Sequence, residues 1–516
     1  MSKTAQATLW IMMGTIISKI LGFFREIVLA NFYGTSKYAD VFLVTLNIPG
    51  LIIAVIGSVI ATIYIPKYIE IKEKSGQDEG LKFTNNMLNI CCVFAIIIAT
   101  FGFLFTDVFI KVLAGGFEGE KFEIAVAFTK IMMPGVIFLS ISKLLSSYLQ
   151  ANESFAIPAL IGTPYNIIII TAIVISTFTD FKFLAVGAVL AMLSQLLFQL
   201  PFALKKSFKY IPYINIKDDS IKQISILVLP MLVSSAIVQL NVAVDRALAT
   251  TLGDGPVSAL NFAARLNDFV MALFVASIIT VIYPKLSKLS NRDDKEGFIS
   301  TIVKTSNSII LMVMPIAVGA IVLAEPIVRI LFERGQFNAE STHMTSVALQ
   351  LYSAGLVAVA VKDVLIRIFY SLSDTKTPMI NSSLGLTMNI VLNFILINFM
   401  GYAGLAFSTS VSSIVTVVLL FRALKKKQGD FSGDKIIKTG VKSLLSSLFM
   451  GIITVFMYKN VYLLLGTGKI EEIIAVIIAV LAGALVYGVS IIVLRVEEVD
   501  LVFDIIKKTK NKIIKK

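Results

Sequence analysis

Ten charged residues interrupt stretches that are otherwise apolar: Lys19, Arg25 and Glu26; Asp245 and Arg246; Arg265 and Asp268; and Lys362, Asp363 and Arg367. At the middle of a bilayer each would cost roughly 2.5–3.5 kcal/mol on insertion scales, so such residues face a wet interior or a partner. Arginine carries a planar fork of donors that matches paired phosphate oxygens. Arg25 and Arg265, set back from the helix ends, are therefore candidates to hold an anion. Each position also has a plainer reading. Arg25 with Glu26, and Lys362 with Asp363 and Arg367, can snorkel to an interface near a helix end, and Arg265 and Asp268, three residues apart, can neutralise each other.

A second set consists of oxygen donors. Asn389 and Asn393 are one helical turn apart and share a face, Thr409 lies in the next apolar run, and Asp245 precedes them. One carboxylate with amide and hydroxyl oxygens is hard-cation chemistry, suited to Na⁺. Asn and Thr inside a membrane also make interhelical hydrogen bonds. Other chemistry has no footing. The chain has no GxxxxGK[ST] phosphate loop, no GxSxG elbow and no HExxH pair, so no ATPase or hydrolase is expected. Its single histidine, His343, and the adjacent Cys91 and Cys92 offer neither a metal cage nor a disulfide framework.

The elements that must position these residues follow from composition. Of 516 residues, 57% are hydrophobic and 15% charged, and the mean hydropathy is +0.86. A soluble chain would carry about 25% charged residues. The composition thus predicts an all-α polytopic membrane protein. The net charge of +13 reads as basic cytoplasmic loops rather than nucleic-acid binding.

A span needs about 20 mostly apolar residues. Apolar runs and turn signals predict fourteen helices, near 7–33, 39–66, 83–112, 123–150, 155–178, 182–203, 221–250, 256–286, 299–324, 343–371, 378–399, 401–424, 437–458 and 470–495. Lysines and arginines concentrate after the even-numbered helices, for example Lys67, Lys72, Lys74 and Lys82, or Lys425, Lys426 and Lys427. These loops are therefore expected to be cytoplasmic, with both termini inside. The first helix lacks a small-residue cleavage site and is read as a retained anchor. The basic tail from Lys507 to Lys516 suits either solvent or anionic lipid heads.

The chain also repeats itself. Glu26, Ala30 and Gly34 recur as Asp245, Ala249 and Gly253 at an offset of 219, and Pro66-Lys67 recurs as Pro284-Lys285 at 218. Tyr148 before Pro158 parallels Tyr370 before Pro378. This predicts an N-lobe over 1–215, a parallel C-lobe over 216–428, and two further helices with the tail over 429–516. Two lobes about a central cavity are the arrangement for alternating-access transport.

Longer motifs carry a family resemblance. They are Ser18-Lys19-Ile20-Leu21-Gly22-Phe23-Phe24-Arg25-Glu26, Ala39-Asp40, Asn47-Ile48-Pro49, Val257-Ser258-Ala259-Leu260, Leu331-Phe332-Glu333-Arg334-Gly335-Gln336-Phe337, Phe369 through Pro378, and Gly404-Leu405-Ala406. Over roughly residues 5–425 the chain resembles the MurJ (MviN) family of bacterial lipid II flippases, in the multidrug/oligosaccharidyl-lipid/polysaccharide exporter superfamily. The resemblance implies a monomeric inner-membrane flippase in peptidoglycan synthesis, with an undecaprenyl-pyrophosphate-linked glycan as substrate. Arg25 and Arg265 would then grip the diphosphate, with Glu26, Asp268, Ser18 and Lys19 beside them. It further implies a Na⁺ site at Asp245, Asn389, Asn393, Thr409 and the backbone carbonyl near Leu405, and a groove for the lipid tail on the last two helices. The sequence departs from the family at two places. Leu51-Ile52-Ile53-Ala54 has no arginine where the family carries one, and Asn393 is neutral where some relatives have an acid.

Overall fold

The computed structural model describes residues 3–498 except 219, 222–223, 225–238, 293, 430 and 467. Much of the expected 221–250 span and the basic tail from Lys507 lie outside these residues. Among the described residues every regular element is helical. The helices are α1 (Lys3–Tyr33), α2 (Lys37–Ser75), α3 (Gln77–Leu104), α4 (Thr106–Leu113), α5 (Gly119–Met132), α6 (Gly135–Ala151), α7 (Ala156–Leu160), α8 (Gly162–Ser176) and α9 (Phe183–Lys205). A tenth, α10, is helical over 239–250. Then come α11 (Pro256–Val270), a π turn (Met271–Val275), α12 (Ala276–Asn291), α13 (Lys295–Val322), α14 (Ala324–Phe332), α15 (Ala339–Ala354), α16 (Leu356–Ser371), α17 (Lys376–Met400), α18 (Tyr402–Gln428), α19 (Gly433–Leu465) and α20 (Lys469–Val493).

Among the described residues ten helices are long and apolar enough to cross a membrane, or twelve if each of two bent pairs is one span. The expected first and seventh spans are not among those twelve. Several expected continuous helices are broken. Pro134 has no N–H to continue α5, and its ring crowds the carbonyl four residues back; α5 and α6 meet at 44°. Pro164 does the same to the carbonyl of Leu160, where α7 ends. Gly355 separates α15 from α16, also at 44°.

The repeat reappears in these irregularities. α3 stops at Phe105 (φ −105°, ψ 24°) and α13 stops at Leu323 (φ −107°, ψ 19°), 218 residues later. Each is followed by a short amphipathic helix, α4 burying Thr106 and Ile110, α14 burying Val328 and Phe332. Each then reaches a buried phenylalanine, Phe117 or Phe337.

Two compact units result, residues 1–258 with 334–338, and residues 259–333 with 339–516. In the first, Tyr64, Tyr68, Tyr148, Leu144, Leu149 and Phe208 form a core. In the second, α13, α16 and α18 bury Ile302, Ile309, Val313, Leu365, Phe369 and Leu420. Packing divides the chain after Ser258, whereas the repeat divides it near 215. It also places α19 and α20 in the second unit. The Tyr487 hydroxyl donates to Leu311 O at 2.8 Å. Nearby, the Arg329 guanidinium lies 2.8 Å from buried Glu472, which also accepts from the Tyr458 hydroxyl at 2.9 Å.

Candidate functional site

In the first unit, α1 meets α7 and α8 through small residues. A Cβ on Gly14 would touch Leu160, one on Gly162 would lie 3.1 Å from Ser18 Cβ, and one on Gly22 would lie 3.6 Å from Asn166. Small residues at this spacing let helix backbones approach. That approach lets the Ser18 hydroxyl donate to Ala159 O at 3.1 Å and sit 3.3 Å from Thr163 Oγ1. Asn166 then bridges the two helices. Its Nδ2 donates to Ser18 O at 3.2 Å and its Oδ1 accepts from Arg25 Nη1 at 3.2 Å.

The second arm of the guanidinium donates to Glu26 Oε1 at 2.5 Å, and Glu26 is 1% exposed. The Arg25 carbon lies 6.0 Å from the Tyr165 ring centre. Arg25, Glu26 and Ser18 therefore belong to one network, whereas Lys19 is exposed beside it. Tyr165 and Asn166 escaped the sequence reading. A polar pair directly before four isoleucines was the available signal.

In the second unit, Arg265 Nη1 lies 3.3 Å from Asp268 Oδ2, with side chains 38% and 61% exposed. The pair forms as its i, i+3 spacing allows, but it is open where Arg25 and Glu26 are enclosed. The π turn begins three residues later, and π turns recur at functional positions. On α16, Arg367 stands 6.0 Å from the Tyr370 ring, as expected of a side chain reaching for an interface.

The expected cation ligands of the second unit come together where α17 and α18 fold back on each other at Gly401. Asn389 Nδ2 donates to Ser408 Oγ and Thr409 Oγ1, both at 3.4 Å, and Asn393 Nδ2 donates to Asn389 Oδ1 at 3.3 Å. The Ser408 and Thr409 hydroxyls donate to Leu405 O at 2.9 and 3.1 Å, and Ser408 also pairs with Asn393 Oδ1. Asn389 and Asn393 are 2% and 0% exposed. Amide, hydroxyl and carbonyl oxygens converge here with no charge among them, a donor set that fits a hard monovalent cation. Ser408 was not foreseen. Asp245 lies in α10, in the first unit.

One cluster was missed. Asp40 is fully buried near the start of α2. Its Oδ2 accepts Gly255 N–H at 2.8 Å, and its Oδ1 accepts Ser258 N–H at 2.9 Å and the Ser258 hydroxyl at 2.5 Å. Lys121 of α5 lies 3.2 Å from Asp40 and 2.8 Å from Asp254, and donates to Gly253 O at 3.2 Å. A carboxylate from α2 thus caps the first turn of α11, where free N–H groups and the helix dipole favour an anion. Close by, Gln336 N–H donates to Asn31 O at 2.9 Å. Gly34 and Gly335 sit at φ +56° and +57°, and a Cβ on either would strike backbone oxygen at 2.4 or 2.2 Å. The 334–338 segment is thereby fastened to the turn after α1, and Gly116 N–H, donating to Thr250 Oγ1 at 3.1 Å, fastens the turn after α4 to the end of α10.

Between α16 and α17, Asp374 accepts Thr377 N–H at 2.9 Å, the Thr377 hydroxyl at 2.8 Å and Lys427 Nζ at 2.5 Å. Burial pushes this carboxyl up. The donors from Lys427 and Thr377 outweigh that and bring it down to about 2.

The family model described as "Lipid II flippase MurJ" matches residues 29–491. A Vibrio cholerae protein described as "Probable lipid II flippase MurJ" is 31% identical over 423 residues, covering 80% of this chain and 81% of that protein. The "Lipid II flippase MurJ" of Burkholderia cenocepacia is 28% identical over 431 residues, covering 80% and 82%. Among solved structures, "Lipid II flippase MurJ, inward closed conformation" superposes with a TM-score of 0.80 at 25% identity, covering 96% of this chain and all of that one. An inward-facing multidrug resistance MATE transporter of the MOP superfamily shares the fold, with a TM-score of 0.68 at 15% identity over 81% of this chain and 96% of that one.

Proposed function

The chain belongs to the lipid II flippase MurJ family, and from that premise we propose that it carries lipid II from the cytoplasmic to the outer leaflet of the bacterial inner membrane. It is a multi-pass membrane transporter. The observation that carries this reading is the likeness to a lipid II flippase along nearly the whole chain, which takes in both packing units.

The cargo has a doubly charged diphosphate head and an apolar tail. Arg25 and Arg265 receive the diphosphate oxygens, exchanging part of their hydrogen bonding with Glu26 and Asp268 for the ligand. Ser18 and Lys19 border the same place, while the tail stays in lipid along α19 and α20. The two six-helix lobes rock about the site, with 1–215 and 216–428 moving as repeats and both termini cytoplasmic. An anion can shift that equilibrium only if it binds one state better than the other, and arginines from both repeats supply such a difference when they close on one head group. The Asp40–Lys121 cluster belongs to the outer ends of the helices in this orientation. The chain works as a monomer.

Asn389, Asn393, Thr409 and Leu405 O would hold Na⁺, with Asp245 adding the only carboxylate. A bound Na⁺ would supply positive charge that fixes α17 against α18 and links transport to an ion gradient. Membrane potential acts on the same moving charges, at about 2.3 kcal/mol per charge per 100 mV.

Complementation tests the reading. The chain, as the only copy in a strain depleted of its own lipid II flippase, sustains growth and wall synthesis. Failure to do so, with normal insertion, favours a flippase for another lipid-linked oligosaccharide, the reading to which the missing arginine near Ile52 points.

A further inference from the structure

α6 carries a charge that the arginine clamp leaves unused. Lys143 is the only charged residue of that helix, and its side chain is exposed. Among the described residues its ammonium makes no hydrogen bond or ion pair, and no charged group bears on it. The stem has a defined course. A Cβ built on Gly57 of α2 would lie 3.4, 3.5 and 3.7 Å from Lys143 Cγ, Cδ and Cε. The lysine therefore lies along α2, over the gap that glycine leaves.

The surroundings separate a wet position from a lipid-facing one. Ser140 and Ser147 share this face of α6 within one turn on either side. Both are 2% exposed, and the Ser140 hydroxyl is buried without a partner. A lipid-facing stripe would be apolar there, and a lone ammonium in it would be strongly disfavoured. In the matching turn of α16, 219 residues later, Lys362 has an acid, Asp363, as its chain neighbour. α6 has no acid at all.

We propose that Lys143 directly contacts the anionic head of the transported lipid, its stem laid over Gly57 and its ammonium left for a phosphate oxygen to complete. Lysine binds phosphate as a point charge, so this contact adds attraction without the fixed geometry of an arginine fork. The assignment rests on the flippase reading above and adds a residue to it.

The test uses the full chain in detergent, titrated with undecaprenyl diphosphate and with undecaprenol at low and high salt. Lys143→Met keeps the stem over Gly57 and removes only the charge. It binds the diphosphate lipid about tenfold more weakly, with a shallower salt dependence, and binds undecaprenol as the wild type does. Lys143→Arg stays close to wild type. Gly57→Leu, which displaces the stem, reproduces the Lys143→Met defect and carries the test if that variant does not fold. Wild-type affinity and salt dependence in both Lys143→Met and Gly57→Leu overturn the assignment. A wild-type chain that binds the two lipids alike overturns the flippase reading, and this inference falls with it.

Discussion

The carboxylate of Asp40 accepts the backbone N–H of Ser258 at 2.9 Å, so a residue of α2 caps a helix more than two hundred residues away in sequence. Asp40→Ala takes one of two carboxylates from Lys121 and strands two backbone donors in a buried place. Breaking one side of a buried ion pair costs about 3–5 kcal/mol. The purified variant melts several degrees below wild type, while Asp40→Asn, which keeps one acceptor oxygen, loses less. Equal melting of Asp40→Ala and wild type would remove the cluster from the account.

Gly335 gives a backbone prediction. Its φ of +57° and the 2.2 Å approach of a built Cβ to Asn31 O leave no room for a side chain. Gly335→Ala loses about 1–3 kcal/mol, read as a lower melting midpoint. Gly429, also at positive φ but with nothing near its Cβ, loses less when changed to Ala.

Asp374 sets an acid limit. Its carboxyl is held at about 2, below the ordinary value of 3.8, so the native state favours the ionised form. The stability this adds is present in full above about pH 4 and fades as pH falls through 2. In melting curves recorded from pH 6 down to pH 2, wild type and Asp374→Asn differ at the upper end and converge at the lower. A constant gap would show that Asp374 acts through packing instead.

For the oxygen cluster, wild type melts higher in Na⁺ than in K⁺ at equal ionic strength, and Asn393→Ala abolishes the difference. Identical midpoints in both salts for the wild type would leave Asn389, Asn393 and Thr409 as an interhelical hydrogen-bond knot only.

Much of the fold was legible because transmembrane helices write themselves as long apolar runs, and the turn at Gly401 was visible in the Gly-Tyr-Ala-Gly sequence. The breaks were harder. Phe105 and Leu323 interrupt apolar stretches with no proline or glycine at the break itself, so only their recurrence 218 residues apart marks them. Among site residues, Arg25, Glu26 and Ser18 met as expected because they ride one helix, and Asn389 and Asn393 because they are one turn apart. Asp40 with Ser258, and Arg25 with Asn166, are pairings made by tertiary packing. No spacing in the sequence encodes those contacts. Lys143 was overlooked because a single lysine in a serine-rich helix reads as an ordinary surface residue until its stem is seen across Gly57.

The most direct test of the central claim is the arrival of lipid II at the outer leaflet, read by an externally added lipid II-degrading enzyme in cells whose own flippase is depleted. Because Arg25→Ala alone would take the guanidinium away from buried Glu26, Arg25→Gln/Glu26→Gln is the informative variant, alongside Arg265→Gln. The account predicts that wild type restores externally cleavable lipid II and that each variant, inserted at normal levels, gives less than about a tenth of it, the loss of one charged contact. Full restoration by both variants would contradict it.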